Sequence, residues 1–373
     1  MADDDESSCS FPIGERESAQ EKGLSYVPKC YMMPPSQRPS LKSEFANVPV
    51  VDLADMHDGN PLKRSMIIHD IAKACRRNGF FQLSVINHGI SQSILDGALS
   101  VAFDFFELPT EGEEKFISND VYKSICYGTS LKDGEDKVQF WRVFIKHHAN
   151  PLNDWIELWP ENPQEYREKK GKYAKEVQKL AIKIMGMITE GQGLGPRYLS
   201  QNVEDGMTVI AVNCYSPCPQ PGLALGLPPH SDYSILTITL HSSVGLEILD
   251  TQDNEWRVVQ DLHGTLQVHV GDHLEVVSSG LYKSMVHRVT HKTRISISSL
   301  HSRSSSSSTC LLLHLLKDIA YDWDVSWRKG RGDNAAPMTW QVRDLQWKLG
   351  VVRARMLREI HRLRWALLLS VED

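Results

Sequence analysis

The triplet His230-Ser231-Asp232, with His287 following 55 residues after the aspartate, restricts the fold of this 373-residue chain more than any other feature. Two imidazoles and one carboxylate suit a divalent metal of intermediate softness such as Fe(II). Three protein ligands on one face of an octahedron leave three positions open for substrates and O2. On a strand, residues at i and i+2 point to the same face, which would bring His230 and Asp232 together. His287 must then arrive from a strand distant in sequence, which suits a small barrel closing on itself.

The surrounding pattern agrees with such a barrel. From residue 209 onward, short β-branched runs alternate with turn residues. Strands are expected at 209–212, 235–240, 246–249, 256–259, 266–270, 274–277 and 284–287, with Ser279-Gly280 as a hairpin turn. Many short strands of this kind predict a mainly β fold with added α, a double-stranded β-helix (cupin-like jelly roll). Ahead of it, residues 46–204 read as a helical region that braces the barrel. Helices are expected at 64–78, 91–106 and 163–190, each with an apolar stripe such as Tyr166, Tyr173, Val177, Leu180 and Ile184. Short strands are expected at 48–53 and 80–83. Residues 1–45 are polar and carry Pro28, Pro34, Pro35 and Pro39, and are expected to form a flexible arm.

Composition narrows the partners. A net charge of −6 argues against a general nucleic-acid binder. No apolar run reaches the roughly 18–20 residues of a membrane span. The acidic start, Met1 to Glu6, lacks the apolar stretch of a signal peptide. Seven scattered cysteines without a CxxC pair read as reduced thiols of the cytoplasm.

Several stretches carry a family resemblance. They are Val212-Asn213-Cys214-Tyr215-Ser216-Pro217-Cys218-Pro219-Gln220-Pro221, Val268-His269-Val270-Gly271-Asp272-His273 and Arg294-Ile295-Ser296. Upstream lie Asn78-Gly79-Phe80-Phe81, Asn87-His88-Gly89-Ile90, Tyr127-Gly128-Thr129 and Phe140-Trp141-Arg142. In this order they resemble the plant 2-oxoglutarate- and Fe(II)-dependent dioxygenases, the family of flavanone 3-hydroxylase and anthocyanidin synthase, over residues 48–302. The resemblance implies His230, Asp232 and His287 as iron ligands. It also implies that Arg294, Ser296 and Tyr215 hold the far carboxylate of 2-oxoglutarate, with Asn213 near the metal-bound end. Arg294 supplies a planar donor fork matched to a carboxylate. O2 is then the co-oxidant and ascorbate the reductant. Decarboxylation to succinate and CO2 drives hydroxylation or desaturation of a small plant metabolite, a flavonoid or related phenolic. The enzyme is expected to act as a monomer, and no residue is assigned to substrate binding.

Other features receive plainer readings. His88, His241, His263, His269, His273 and His291 read as structural, and the spacing of Cys214 and Cys218 is weak support for zinc. The interval from His287 to Arg294 is about three residues shorter than the family's, and an odd shift of register would turn Arg294 to the other face. Residues 303–373 break with the resemblance. They open on five consecutive serines (304–308) and hold 12 Lys+Arg against 8 Asp+Glu, a change of text such as a shifted frame or mis-joined exon produces. Residues 345–367 have the pattern of a basic amphipathic helix suited to an acidic partner or membrane surface. The altered hairpin and tail supply the alternative function: a catalytically impaired family member that only binds.

Overall fold

In the computed structural model, the described residues are 24–291, apart from 41, 57–59, 84–86, 109–113, 119–122, 129–137, 200–203, 205 and 263, together with the backbone of a strand at 308–315. The first helix, α1 (Pro61–Arg77), shows why the chain turns where it does. The Asn60 side chain accepts hydrogen bonds from the Leu62 and Lys63 amides, and Pro61 takes the first helical position. Gly79, at φ +62°, ends it, and a Cβ there would lie 2.0 Å from the Lys283 carbonyl oxygen. Helix α2 (Gln92–Phe106) and the 25-residue α4 (Tyr166–Glu190) follow, with the short α3 (Leu152–Trp155) between them. A fifth helix, α5 (Asp272–Val277), lies near the end of the barrel segment.

Among the described residues, twelve strands make two sheets. They are β1 (Val50–Val51), β2 (Phe80–Leu83), β3 (Ile125–Gly128), β4 (Val143–Asn150), β5 (Thr208–Tyr215), β6 (Leu225–His230), β7 (Leu236–His241), β8 (Leu246–Leu249), β9 (Trp256–Val258), β10 (Leu266–Val270), β11 (His287–Thr290) and β12 (Ser308–Leu315). The large sheet runs β1-β2-β10-β7-β12-β5-β4-β3 and the small one β6-β11-β8-β9. Together they form the expected jelly roll.

The large sheet has two unlike faces. Ile210 and Val212 on β5, Leu236 and Ile238 on β7, and Val268 on β10 pack with Ile71 of α1, Val101 of α2, and Val177 and Ile184 of α4. Each such aliphatic side chain contributes about 1.5–3 kcal/mol by leaving water. The alternate residues (Asn213, Thr237, Thr239, Gln267 and His269) are buried and polar. On their side, Tyr215 and Phe80 join Leu227, Ile248 and Val289 of the small sheet in a second apolar cluster. The barrel interior is therefore polar where the helix-covered face is apolar.

Several expectations are corrected. Residues 274–277 are helical. Gly271 is pressed so closely on Ser234 that a Cβ would sit 1.9 Å from its carbonyl oxygen, and the chain turns there. Leu274 is the one buried side chain of the helix that follows, too few for a strand's alternating face. Ser279 and Gly280, both at positive φ, close that helix rather than a hairpin. The last strand starts at His287, not at 284, and α4 starts at Tyr166, not at Pro163. Besides the strands expected at 48–53 and 80–83, the region 46–204 adds β3 and β4 to the large sheet. From residue 24 on, the arm is pinned: Val27, Tyr31 and Met33 are buried, and the Met33 amide donates to the Leu223 carbonyl at 2.8 Å. Strand β12, from the segment set apart as a divergent tail, pairs with β5 on one side and β7 on the other. The proposed helix at 345–367 lies outside the described residues.

Candidate metal centre

The antiparallel pairing of β11 with β6 sets His287 directly opposite His230, and their ring centroids lie 4.2 Å apart. Each ring is oriented by a main-chain carbonyl. The Nδ1 of His230 pairs with the Pro228 oxygen at 2.8 Å and that of His287 with the Met285 oxygen at 3.1 Å. Carbonyl oxygens only accept, so both rings carry the proton on Nδ1 and turn a bare Nε2 lone pair to the same point. Both Nε2 atoms lie 3.7 Å from Asp232 Oδ1. One donor atom from each residue falls within 4.8 Å of the others, and among the described residues this is the cluster able to hold a metal.

Asp232 reaches this point by another route than the sequence suggested. Strand β6 ends at His230, so Asp232 stands past the strand, in the loop before β7. Its carbonyl accepts the Asp272 amide at 2.7 Å, and Ser231 Oγ donates to Asp272 Oδ2 at 3.1 Å. The loop is thus tied to the start of α5, and the carboxylate, in a residue 4% exposed, points inward.

The electrostatics favour a metal. Desolvation first, then the neighbouring His287, pushes His230 down to about 3, so its ring is neutral and ready to ligate at neutral pH. The buried His287 Nε2 has no hydrogen-bond partner. Such an orphan costs about 1–3 kcal/mol unless something meets it. A divalent cation among two imidazole nitrogens and one carboxylate would satisfy it and fits this donor set.

The other expected residues fall into two groups. Asn213 and Tyr215 lie on one face of β5, both buried, and Asn213 Oδ1 accepts from Arg142 Nη1. Tyr215 packs its ring on Gly226, where a Cβ would meet it at 2.7 Å. Arg294 and Ser296 lie outside the described residues, as does His263. His88 is well accounted for in its turn: its Nδ1 accepts the Ile90 amide at 3.1 Å and its Nε2 pairs with the Gly264 carbonyl at 3.3 Å.

Two residues near the centre were not assigned to it from the sequence, Arg142 given no role and His269 read as structural. Arg142, just before β4, holds the Asn213 carbonyl, so the Asn213 amide nitrogens face elsewhere. His269, on β10, lies with its ring centroid 4.8 Å from that of His287 and its Nδ1 4.0 Å from Asp232 Oδ2. A signal existed for it. In Leu266-Gln267-Val268-His269-Val270 the polar residues alternate, so His269 shares a face with Gln267, away from the helices.

Comparison with known proteins is consistent with this geometry. Residues 206–303 match the 2OG-Fe(II) oxygenase superfamily, and residues 48–162 match the N-terminal region of the non-haem dioxygenase in morphine synthesis. Flavanone 3-dioxygenase 3 of Oryza sativa subsp. japonica is 45% identical over 272 residues, 72% of this chain and 82% of that protein. The 2-oxoglutarate-dependent dioxygenase 21, chloroplastic, of the same organism is 45% identical over 276 residues, 72% of this chain and 78% of its own length. Among solved structures, JOX2 in complex with 2OG, Fe and JA superposes with a TM-score of 0.69 at 28% identity, covering 82% of this chain and 84% of JOX2.

Proposed function

The chain belongs to the 2OG-Fe(II) oxygenase superfamily and is a 2-oxoglutarate-dependent dioxygenase, and on that premise we propose that His230, Asp232 and His287 are the ligands of its Fe(II). One observation carries the assignment: two imidazole Nε2 lone pairs and a buried carboxylate bring one donor atom each within 4.8 Å of the others. Bound there, Fe(II) with 2-oxoglutarate and O2 supplies the oxidising chemistry, and 2-oxoglutarate leaves as succinate and CO2.

The chain's own residues prepare that site. Pro228 and Met285 carbonyls fix both ring tautomers. The tie between the Asp232 carbonyl and the Asp272 amide holds the main chain that carries the carboxylate. Asn213, its carbonyl held by Arg142, offers amide donors to the metal-bound end of 2-oxoglutarate, and Tyr215 and the Arg294-Ser296 pair serve the far carboxylate. The buried interior polar row leaves donors for an oxygen-rich ligand.

For substrate we propose a flavonoid or related phenolic, hydroxylated or desaturated. The similarity to a flavanone 3-dioxygenase at 45% identity supports it. Ascorbate is the proposed reductant and the monomer the proposed working form. No helix among the described residues is long and apolar enough to cross a membrane. The cytoplasm is the proposed location, supported by five cysteines among the described residues that are not in disulfides, and a fluorescent fusion that collects in plastids would overturn it.

The test is an anaerobic titration of the purified chain with Fe(II) and 2-oxoglutarate, followed by its visible metal-to-ligand band. The band should form in the wild type and be lost in Asp232→Ala. Succinate release on adding O2 and naringenin-type flavanones then tests the substrate. A band with no flavanone-stimulated succinate would keep the centre and discard the substrate class.

A further inference from the structure

Inside the barrel, beside the three converging side chains, a fourth is out of place. His269 is 2% exposed, yet neither of its ring nitrogens has a hydrogen-bond partner. Burying an imidazole in this way costs free energy unless a partner arrives. The ring is not free to turn away. Phe80 packs edge-on against it at 4.6 Å, and β10 is held in the middle of the large sheet by β2 and β7, with His269 opposite Phe80 and Thr237. Asp232 Oδ2 lies 4.0 Å from its Nδ1.

The two oxygens of Asp232 face different neighbours. Oδ1 lies toward His230 and His287, 3.7 Å from each Nε2. Oδ2 lies toward His269. We propose that His269 is a positioning residue, which donates its Nδ1–H to Asp232 Oδ2 in the metal-loaded enzyme and so keeps that carboxylate a one-oxygen ligand. This rests on the assignment of the three ligands above.

The consequence lies in the number of open positions. Three protein donors leave three of six positions for the two oxygens of 2-oxoglutarate and for O2. A carboxylate binding through both oxygens would take one of them. An N–H that claims Oδ2 prevents this, and a shift of about 1 Å closes the gap to ordinary hydrogen-bond length. The remaining nitrogen, Nε2, then becomes the acceptor. Outer partners of this kind hold ligands in place and typically carry about 10–100-fold in metal affinity.

The experiment compares wild type, His269→Leu and His269→Gln. Each would be titrated anaerobically with Fe(II), and each Fe(II) site examined by X-ray absorption with and without 2-oxoglutarate. His269→Leu should weaken Fe(II) binding by about 10–100-fold. Before 2-oxoglutarate is added, its iron should have the Asp232 carboxylate carbon closer than in wild type, the mark of a carboxylate bound through both oxygens. His269→Gln, which keeps an N–H donor, should recover much of both properties. Thermal unfolding without metal should find His269→Leu at least as stable as wild type, which separates positioning from loss of the fold. Unchanged affinity and coordination in His269→Leu would overturn the proposal. So would three imidazoles on the wild-type iron and two in the variant, because His269 would then be a ligand. If the wild type itself fails to bind Fe(II), the ligand assignment falls and takes this role with it.

Discussion

Two buried histidines, His147 under the helices and His269 inside the barrel, are alike by composition and opposite by circumstance. Both are almost wholly buried, and burial drives both below the ordinary imidazole range. His147 is saturated. Its Nδ1 pairs with the Ile210 carbonyl at 3.2 Å, its Nε2 with the Tyr166 hydroxyl at 2.9 Å, and its ring stacks on Trp159 at 4.6 Å. His269 has shape partners but no hydrogen bond to either nitrogen. A buried polar group that is satisfied contributes to one fold. A buried polar group left waiting marks where something else is meant to bind.

The largest effects should fall on the barrel side, with no cost in folding. Asp232→Ala should lower 2-oxoglutarate turnover by about 10³-fold or more, since it removes a ligand and not merely its support. Without metal, its thermal midpoint should equal or exceed wild type, because a buried carboxylate has gone. Succinate release would read the first quantity and calorimetry the second. A variant that loses activity only because it unfolds would erase the distinction between the two sides.

On the helix side the balance should invert. His147→Leu strands the Tyr166 hydroxyl, which is buried, and removes the stack on Trp159. The expected loss is about 3 kcal/mol in urea unfolding. Its Fe(II) affinity, measured on the folded protein, should match wild type. A fall in affinity as large as the fall in stability would show that the two histidines do not differ in kind.

These residues also show how far the sequence could be read. Strands β8 and β10 were legible because runs rich in β-branched and aliphatic residues between turns leave little choice of structure, whereas β6, with Pro228 and Pro229, was not among the expected strands. Strands β3 and β4 were not, since Lys146, His147 and His148 interrupt any apolar alternation. The satisfaction of His147 comes from β5 and α4, distant in sequence. Helix α5 was hidden by Val276-Val277, residues that favour strands locally but are overruled by the close approach of Gly271 to Ser234. Asp232 meets the two histidines by another route than expected, as the loop to α5 and not the pleat of a strand aims it. His269 was passed over because a lone histidine in a strand usually resembles His147.

The saturated histidine should also have a pH signature. Its folded pKa is lowered to about 3, against 6.5 for a free ring. Above 6.5 both states are neutral there and its contribution is fully present. As pH falls from 6.5 toward about 3, the unfolded chain takes up a proton that the native one refuses, and stability is lost by up to about 1.4 kcal/mol per pH unit. Urea unfolding across pH 7 to 4 should show this slope in wild type and a shallower one in His147→Leu. Equal slopes would mean that the ring is protonated in the fold.

Lys170 puts the rule under most strain. It sits on α4 beside His147, wholly buried, with no hydrogen-bond partner for Nζ and the Tyr166 ring centroid 5.8 Å away. Burial holds its pKa well below 10.5, so the amine is kept toward its neutral form. It is unsatisfied like His269, but it lies on the helix side, where the neighbouring His147 and Tyr166 already bond each other. If it is only a cost, Lys170→Met keeps the stem, removes the stranded amine and should stabilise by about 1–3 kcal/mol. The sign with pH follows. The unfolded lysine binds a proton that the folded one releases, so wild-type stability should rise as pH climbs toward 10.5, and Lys170→Met should lose that rise. A Met variant that is less stable than wild type, with the alkaline rise intact, would show that the amine has a partner when the protein works. The distinction between waiting and satisfied groups would then extend to both sides of the sheet.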